Sequence, residues 1–169
     1  MVVFLDIDGV LVKEDDPDDE IYMKTIELEE DLLRFHQDCL NEFESIMRQY
    51  QHSKIVISSS WRENFAFESI KALFSDEVAK LVVGVTPIIE HPIKYHRHKE
   101  ITHYLKKNNL LDEPWVAIDD IPLHFPADAP VIITNPYKGF DKNASKKLEY
   151  FLNAGKLPKE DRYYGTKND

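Results

Sequence analysis

Asp6 and Asp8 stand two residues apart at the end of an apolar run, in FLDIDGVL. Two carboxylates placed there cannot both enter a core without partners, because burying unpaired charge is very costly, so they require a cation. A second acidic pair, Asp119-Asp120, ends another apolar run, WVAIDD. Brought together, these side chains would form an all-oxygen pocket suited to Mg²⁺, a hard ion that keeps several of its waters. Ser58, Ser59 and Ser60 follow a third apolar run and precede Trp61 and Arg62. Their hydroxyls and backbone N–H groups at the entry to a helix offer a cradle for an anion. Arg97 and Lys99 are cations able to neutralise a bound phosphate. Carboxylates, metal, hydroxyls and cations together describe a site for a phosphate ester, where phosphoryl transfer needs neutralised charge, in-line positioning and a nucleophile.

Those groups act together only if the fold gathers them, and the pattern between them says how it could. Apolar runs alternate with amphipathic stretches. Val2 to Leu5, Ile55 to Ile57, Leu81 to Val85, Trp115 to Ile118 and Val131 to Ile133 read as short strands, apolar throughout as strands covered on both faces are. From about Ile26 to Tyr50, Leu28, Leu32, Phe35, Leu40, Phe43, Met47 and Tyr50 recur at helical steps along one face. Glu63 to Phe74, Glu100 to Lys107 and Ala144 to Asn153, the last ended by Gly155, read as further helices. The fold this implies is α/β: an open, doubly wound parallel sheet of about five strands. Ligands of such sheets bind beyond the carboxyl ends of the strands, where the aspartates and serines stand. If the first and fourth strands are neighbours, the two acidic pairs converge.

The 169 residues, 43% of them hydrophobic, suit a single domain, expected over 1–157 with a loosely held tail at 158–169. No apolar run is long enough to span a membrane, and the start, MVVFLDIDGV, lacks a signal peptide's basic region, so a cytoplasmic location is expected. The single cysteine, Cys39, can form neither an internal disulfide nor a cysteine-based zinc site. Charge is uneven: the net is −10, and the first 50 residues hold 15 of the 31 acidic side chains but 4 of the 21 basic ones. Such a mean field repels nucleic acid. An anionic partner is therefore expected to approach the basic stretch from His91 to Lys107, where Lys94, Arg97, Lys99, Lys106 and Lys107 face the lone Glu100. His91, His96, His98 and His103 crowd the same stretch, but their spacing does not share a helical face, which favours solvated surface over zinc. Trp61 suits a core position better than a stacking platform, and Arg62 suits a second phosphate or an acidic neighbour equally.

FLDIDGVL resembles the first motif of the haloacid dehalogenase (HAD) superfamily, an apolar strand ending in DxDGxL. VISSS, the basic group near Arg97 and VAIDD resemble its second, third and fourth motifs in the same order. More narrowly, SSSWREN, VVGVTP and the RxxEIxxYL pattern of Arg97 to Leu105 resemble the HAD domain found in bacterial RNA repair proteins. The likeness runs from Val2 to about Asp141. It implies a Mg²⁺-dependent phosphatase with Asp6 as nucleophile and Asp8 as general acid/base, working through an aspartyl-phosphate. The metal would be held by Asp6, the Asp8 carbonyl and Asp119 or Asp120. Ser59 would bind the phosphoryl group, with Ser58 and Ser60 open as alternatives, and Arg97 or Lys99 would supply the basic motif. The gaps between motifs leave no room for a cap domain. An open site admits bulky substrates, with nucleotide or polynucleotide phosphate ends expected first. A small-molecule (sugar or metabolite) phosphatase and a non-catalytic phosphate-binding module are the alternatives, and the oligomeric state is unspecified.

Overall fold

A computed structural model of the chain describes residues 1–14, 34–90 and 94–158. Five strands form one all-parallel sheet: β1 (Val2–Leu5), β2 (Lys54–Ile57), β3 (Val82–Val85), β4 (Trp115–Asp119) and β5 (Val131–Ile133), in the order β3-β2-β1-β4-β5. Along β1, Val3 and Leu5 enter one core while Val2 and Phe4 enter the other, so every position is apolar because both faces are covered. The larger core lies under α1 (Gln37–Met47) and α6 (Lys142–Ala154), and the smaller lies under α5 (His96–Lys107), through Ile101 and Leu105. Among the described residues no cap domain covers the strand ends. Nor is any described helix long and apolar enough to cross a membrane.

The helices depart from the periodicity in three places. Arg34 to His36 are not helical; His36 is extended and its N–H donates to the Leu11 carbonyl, so the first crossover helix begins at Gln37. The part of that helix expected before Arg34, the rest of residues 15–33 and the tail from Lys159 lie outside the described residues. The single helix expected at Glu63 to Phe74 is instead α2 (Trp61–Asn64), α3 (Phe67–Lys71) and α4 (Asp76–Ala79). Extended backbone at Phe65 and Ala66 separates α2 from α3, which lets α2 turn Trp61 and Arg62 towards the strand ends while Ile70 and Val78 enter the core. Finally, α5 starts at His96 rather than Glu100, after Tyr95 in the left-handed region. The last helix keeps its expected close: Asp141 accepts from the Asn143 and Ala144 N–H groups at its start, and Gly155 ends it at φ 70°.

Register is what matters for the site. β1 and β4 pair from Val2 with Trp115 to Leu5 with Ile118, and the Asp6 N–H continues the ladder to the Ile118 carbonyl at 3.0 Å. Asp6 and Asp119 therefore leave the sheet side by side. On the other flank the Ser58 N–H donates to the Leu5 carbonyl at 2.8 Å, and the Thr86 N–H to the Ile57 carbonyl at 2.9 Å. The acidic pairs and the serine run thus emerge at one edge of the sheet, the end at which parallel α/β sheets bind ligands.

A carboxylate cluster at the strand ends

Asp6 is 5% exposed and Asp119 wholly buried; with the half-buried Asp120, each offers an oxygen within 4.8 Å of the others. Backbone donors fix two of them: the Ile7 N–H binds Asp6 Oδ1 at 2.7 Å, and the Ile121 N–H binds Asp119 Oδ1 at 2.8 Å. Burial first, and then the neighbouring Asp119 charge, push the Asp6 pKa from 3.8 up to about 7, against the pull of Arg97, the Ile7 N–H and the Ser59 hydroxyl. Burial and Asp119 likewise raise Asp120 to about 6. Gly9 makes the convergence possible. Its φ is +69°, and a Cβ there would lie 2.4 Å from the Asp120 Cγ, so a side chain would displace the carboxylate.

Arg97, in the first turn of α5, meets this cluster with three different nitrogens. Nη2 lies 3.5 Å from Asp6 Oδ2, Nε 3.4 Å from Asp119 Oδ2, and Nη1 3.5 Å from Glu100 Oε2. Lys99 is exposed, and a step of two residues along a helix puts it on the opposite side from Arg97, so of the two it is Arg97 that reaches the carboxylates. Of the serines, Ser58 and Ser59 are buried and Ser60 is exposed. The Ser59 hydroxyl accepts from the Trp61 N–H at 3.3 Å and helps to hold the Asp6 anion. Asp8 is exposed at the rim, where its Oδ1 accepts the Trp61 indole N–H at 2.9 Å. Asp6, Ser59, Arg97, Asp119 and Asp120 are therefore gathered, Asp8 stands at the mouth, and Lys99 points away.

Two groups were less visible in the sequence. Glu100, counted there as a lone acid among bases, is 4% exposed and joins Arg97 to Arg62, whose Nη2 lies 2.7 Å from Glu100 Oε1. Arg62 also donates to the carbonyls of Ser58, Ser59 and Thr86, tying the ends of β2 and β3 together. Of its two sequence readings, the acidic neighbour is the one it meets. His124, in the 3₁₀ turn Pro122–His124 after β4, sits with Nδ1 3.5 Å from Asp119 Oδ1 and its ring against His96. The signal for Glu100 was present: Arg97, Glu100 and Ile101 fall at i, i+3 and i+4, one helical face, and that face is buried.

The residues fit a divalent cation. Asp6, Asp119, Asp120 and Glu100 outnumber Arg62 and Arg97, so with all four ionised two negative charges lack a counter-charge in a largely buried cluster. Asp119 Oδ2 is buried without a hydrogen-bond donor, and its donor set is all hard oxygen. Its nearest cationic neighbour, Arg97 Nε at 3.4 Å, is likewise buried without a hydrogen bond, so the two atoms form an ion pair out of hydrogen-bond alignment. Among the described residues, this is the one group of acidic, histidine or cysteine side chains close enough to share a metal.

Comparison with curated proteins and with solved structures gives no match. Comparison with protein families gives one, described as the HAD domain in Swiss Army Knife RNA repair proteins, over residues 2–144, a span that takes in all five strands and every residue of the cluster. The chain belongs to this family of HAD domains.

Proposed function

We propose that the protein is a Mg²⁺-dependent phosphomonoester hydrolase that works through an aspartyl-phosphate on Asp6. The observation that carries this reading is the meeting of Asp6, Asp119 and Asp120 at one point, with Arg97 and Ser59 against the same Asp6 carboxylate. Asp6 and Asp119, with Asp120 and the Asp8 carbonyl, would hold the ion, which supplies charge neutralisation for the phosphoryl oxygens and for the carboxylates themselves. The Asp6 carboxylate attacks phosphorus while Asp8 gives a proton to the departing ester oxygen. Asp8, now a base, takes a proton from water, and that water cleaves the acyl phosphate to free Asp6 and inorganic phosphate. Arg97 and the Ser59 hydroxyl neutralise and orient the phosphoryl oxygens throughout.

The substrate class we favour is the phosphorylated end of a nucleotide or polynucleotide. Supporting it are the family's name and an Asp8 that stands exposed at the rim with no cap over it among the described residues. Asp6→Asn is expected to abolish hydrolysis of an aryl phosphate in Mg²⁺ while the circular dichroism spectrum stays that of the wild type. Full residual turnover in that variant would reject Asp6 as nucleophile. Hydrolysis of sugar phosphates, with oligonucleotides bearing 3′- or 5′-phosphates left intact, would reject the substrate class alone.

A further inference from the structure

Asp8 is the exposed member of the acidic set, and a carboxylate at the rim has rotamers that point into water as readily as towards an ester oxygen. Among the described residues, one side-chain hydrogen bond restrains it. Trp61, from a chain segment 53 residues away, donates its indole N–H to Asp8 Oδ1 at 2.9 Å. The indole is itself fixed, with its ring 5.9 Å from that of Phe35 and 5.3 Å from that of Phe65, and with its backbone N–H on the Ser59 hydroxyl. Trp61 thus ties the rim carboxylate to the serine that faces Asp6.

We infer that Trp61 is a positioning residue that orients Asp8 and decides which of its oxygens carries the transferred proton. An indole N–H can only donate, and of the two oxygens of a protonated carboxyl it favours the carbonyl one, the stronger acceptor. Oδ1 is therefore held as an acceptor, and the proton that Asp8 gives up or takes sits on Oδ2. The balance is simple. Oδ2–H breaks as the leaving oxygen gains the proton; in the second half, Oδ2 regains a proton from water; the Trp61–Oδ1 bond persists through both. A side chain able both to donate and to accept, such as glutamine or neutral histidine, would leave the proton free to reside on either oxygen. This inference rests on the phosphatase reading above.

Trp61→Phe keeps an aromatic ring between Phe35 and Phe65 and removes the donor together with the second ring. General acid catalysis is worth about 10²–10⁴-fold, and it matters most when the leaving group is a poor one. In Mg²⁺, kcat/KM of the variant is expected to fall roughly 10- to 100-fold for an alkyl phosphate but by less than about 3-fold for dinitrophenyl phosphate, whose phenolate departs unprotonated. In an Asp8→Asn background the same replacement should have no further effect on the alkyl ester. An equal loss across all leaving groups, or no loss at all, overturns the inference while leaving the phosphatase reading standing; a wild type inactive on every ester removes that reading first. The contact has its own readout, independent of turnover and of how the Phe variant folds. Of the two tryptophans, the Trp61 indole N–H resonance should shift and exchange faster with water in Asp8→Ala, with that of Trp115 unmoved. A Trp61 resonance unchanged by Asp8→Ala overturns the inference.

Discussion

Gly9 shows how closely the site is drawn at the scale of single residues. Its positive φ already disfavours any side chain, and the space a Cβ needs is filled by the Asp120 carboxylate. Gly9→Ala must either unwind the turn after β1 or push Asp120 aside. It is expected to weaken Mg²⁺ binding at least 10-fold and to cost about 1–2 kcal/mol of stability, read by calorimetric titration and by urea unfolding; unchanged affinity would exclude Asp120 from the metal's surroundings. The residues that define the cluster were legible for a related reason. Asp6, Asp119 and Asp120 are charges at the ends of apolar strands, where burial without a partner would be costly. The choice between Arg97 and Lys99 stayed open, because a helix expected to begin only at Glu100 leaves both residues outside its faces, and the choice among three adjacent serines depends on where β2 ends to within one residue. The Arg62–Glu100 pair was not legible: its partners are 38 positions apart, and no local spacing encodes which charges meet across a fold.

Elements were read well where both faces of a strand are buried and less well where a helix is broken by its tasks. All five strands lie within a residue of their apolar runs, because continuous burial leaves a continuous signal. The segment after β2 carries helix-forming residues throughout, yet it bends at Phe65 and Ala66, and the constraints behind that bend are tertiary: Trp61 on Asp8, Arg62 on Thr86 and Glu100. The basic stretch also reads differently once folded. Arg97 lies at the site end of α5, while Lys106 and Lys107 lie in its last turn, about 15 Å away along the axis, where they complement the helix dipole. What holds the site end of α5 against α2 is Glu100, which is buried between two guanidinium groups. Glu100→Gln keeps the shape and removes the charge. Breaking a buried pair in this way typically costs about 3–5 kcal/mol, so urea unfolding should shift by that amount. A shift under 1 kcal/mol would mean that Arg62 and Arg97 find other counter-charges.

Across the whole molecule the same surplus of negative charge ties stability to pH and to the metal. Asp6 and Asp120 have folded pKa values of about 7 and about 6, both above the ordinary 3.8. Between 3.8 and those values the folded chain binds more protons than the unfolded chain, so the slope of stability against pH is negative there. The contribution is complete below pH 3.8 and is lost as pH rises through 6 and 7. In a chelator, Tm should therefore fall between pH 5.5 and pH 8. Mg²⁺ binds the ionised carboxylates, so it should restore most of that loss, and its effect must be larger at pH 8 than at pH 5.5, where protons compete for the same oxygens. At a hundredfold excess over Kd the gain is about 2.7 kcal/mol, or roughly 5–10 °C for a domain of this size. Asp6→Asn supplies the control, because it removes the most strongly shifted group without changing its shape: its Tm in chelator should fall by less than half as much over the same pH span, the remainder belonging to Asp120, and should gain little from the ion. A Mg²⁺ effect of equal size at both pH values, or one that persists in Asp6→Asn, would place the bound ion somewhere other than between β1 and β4.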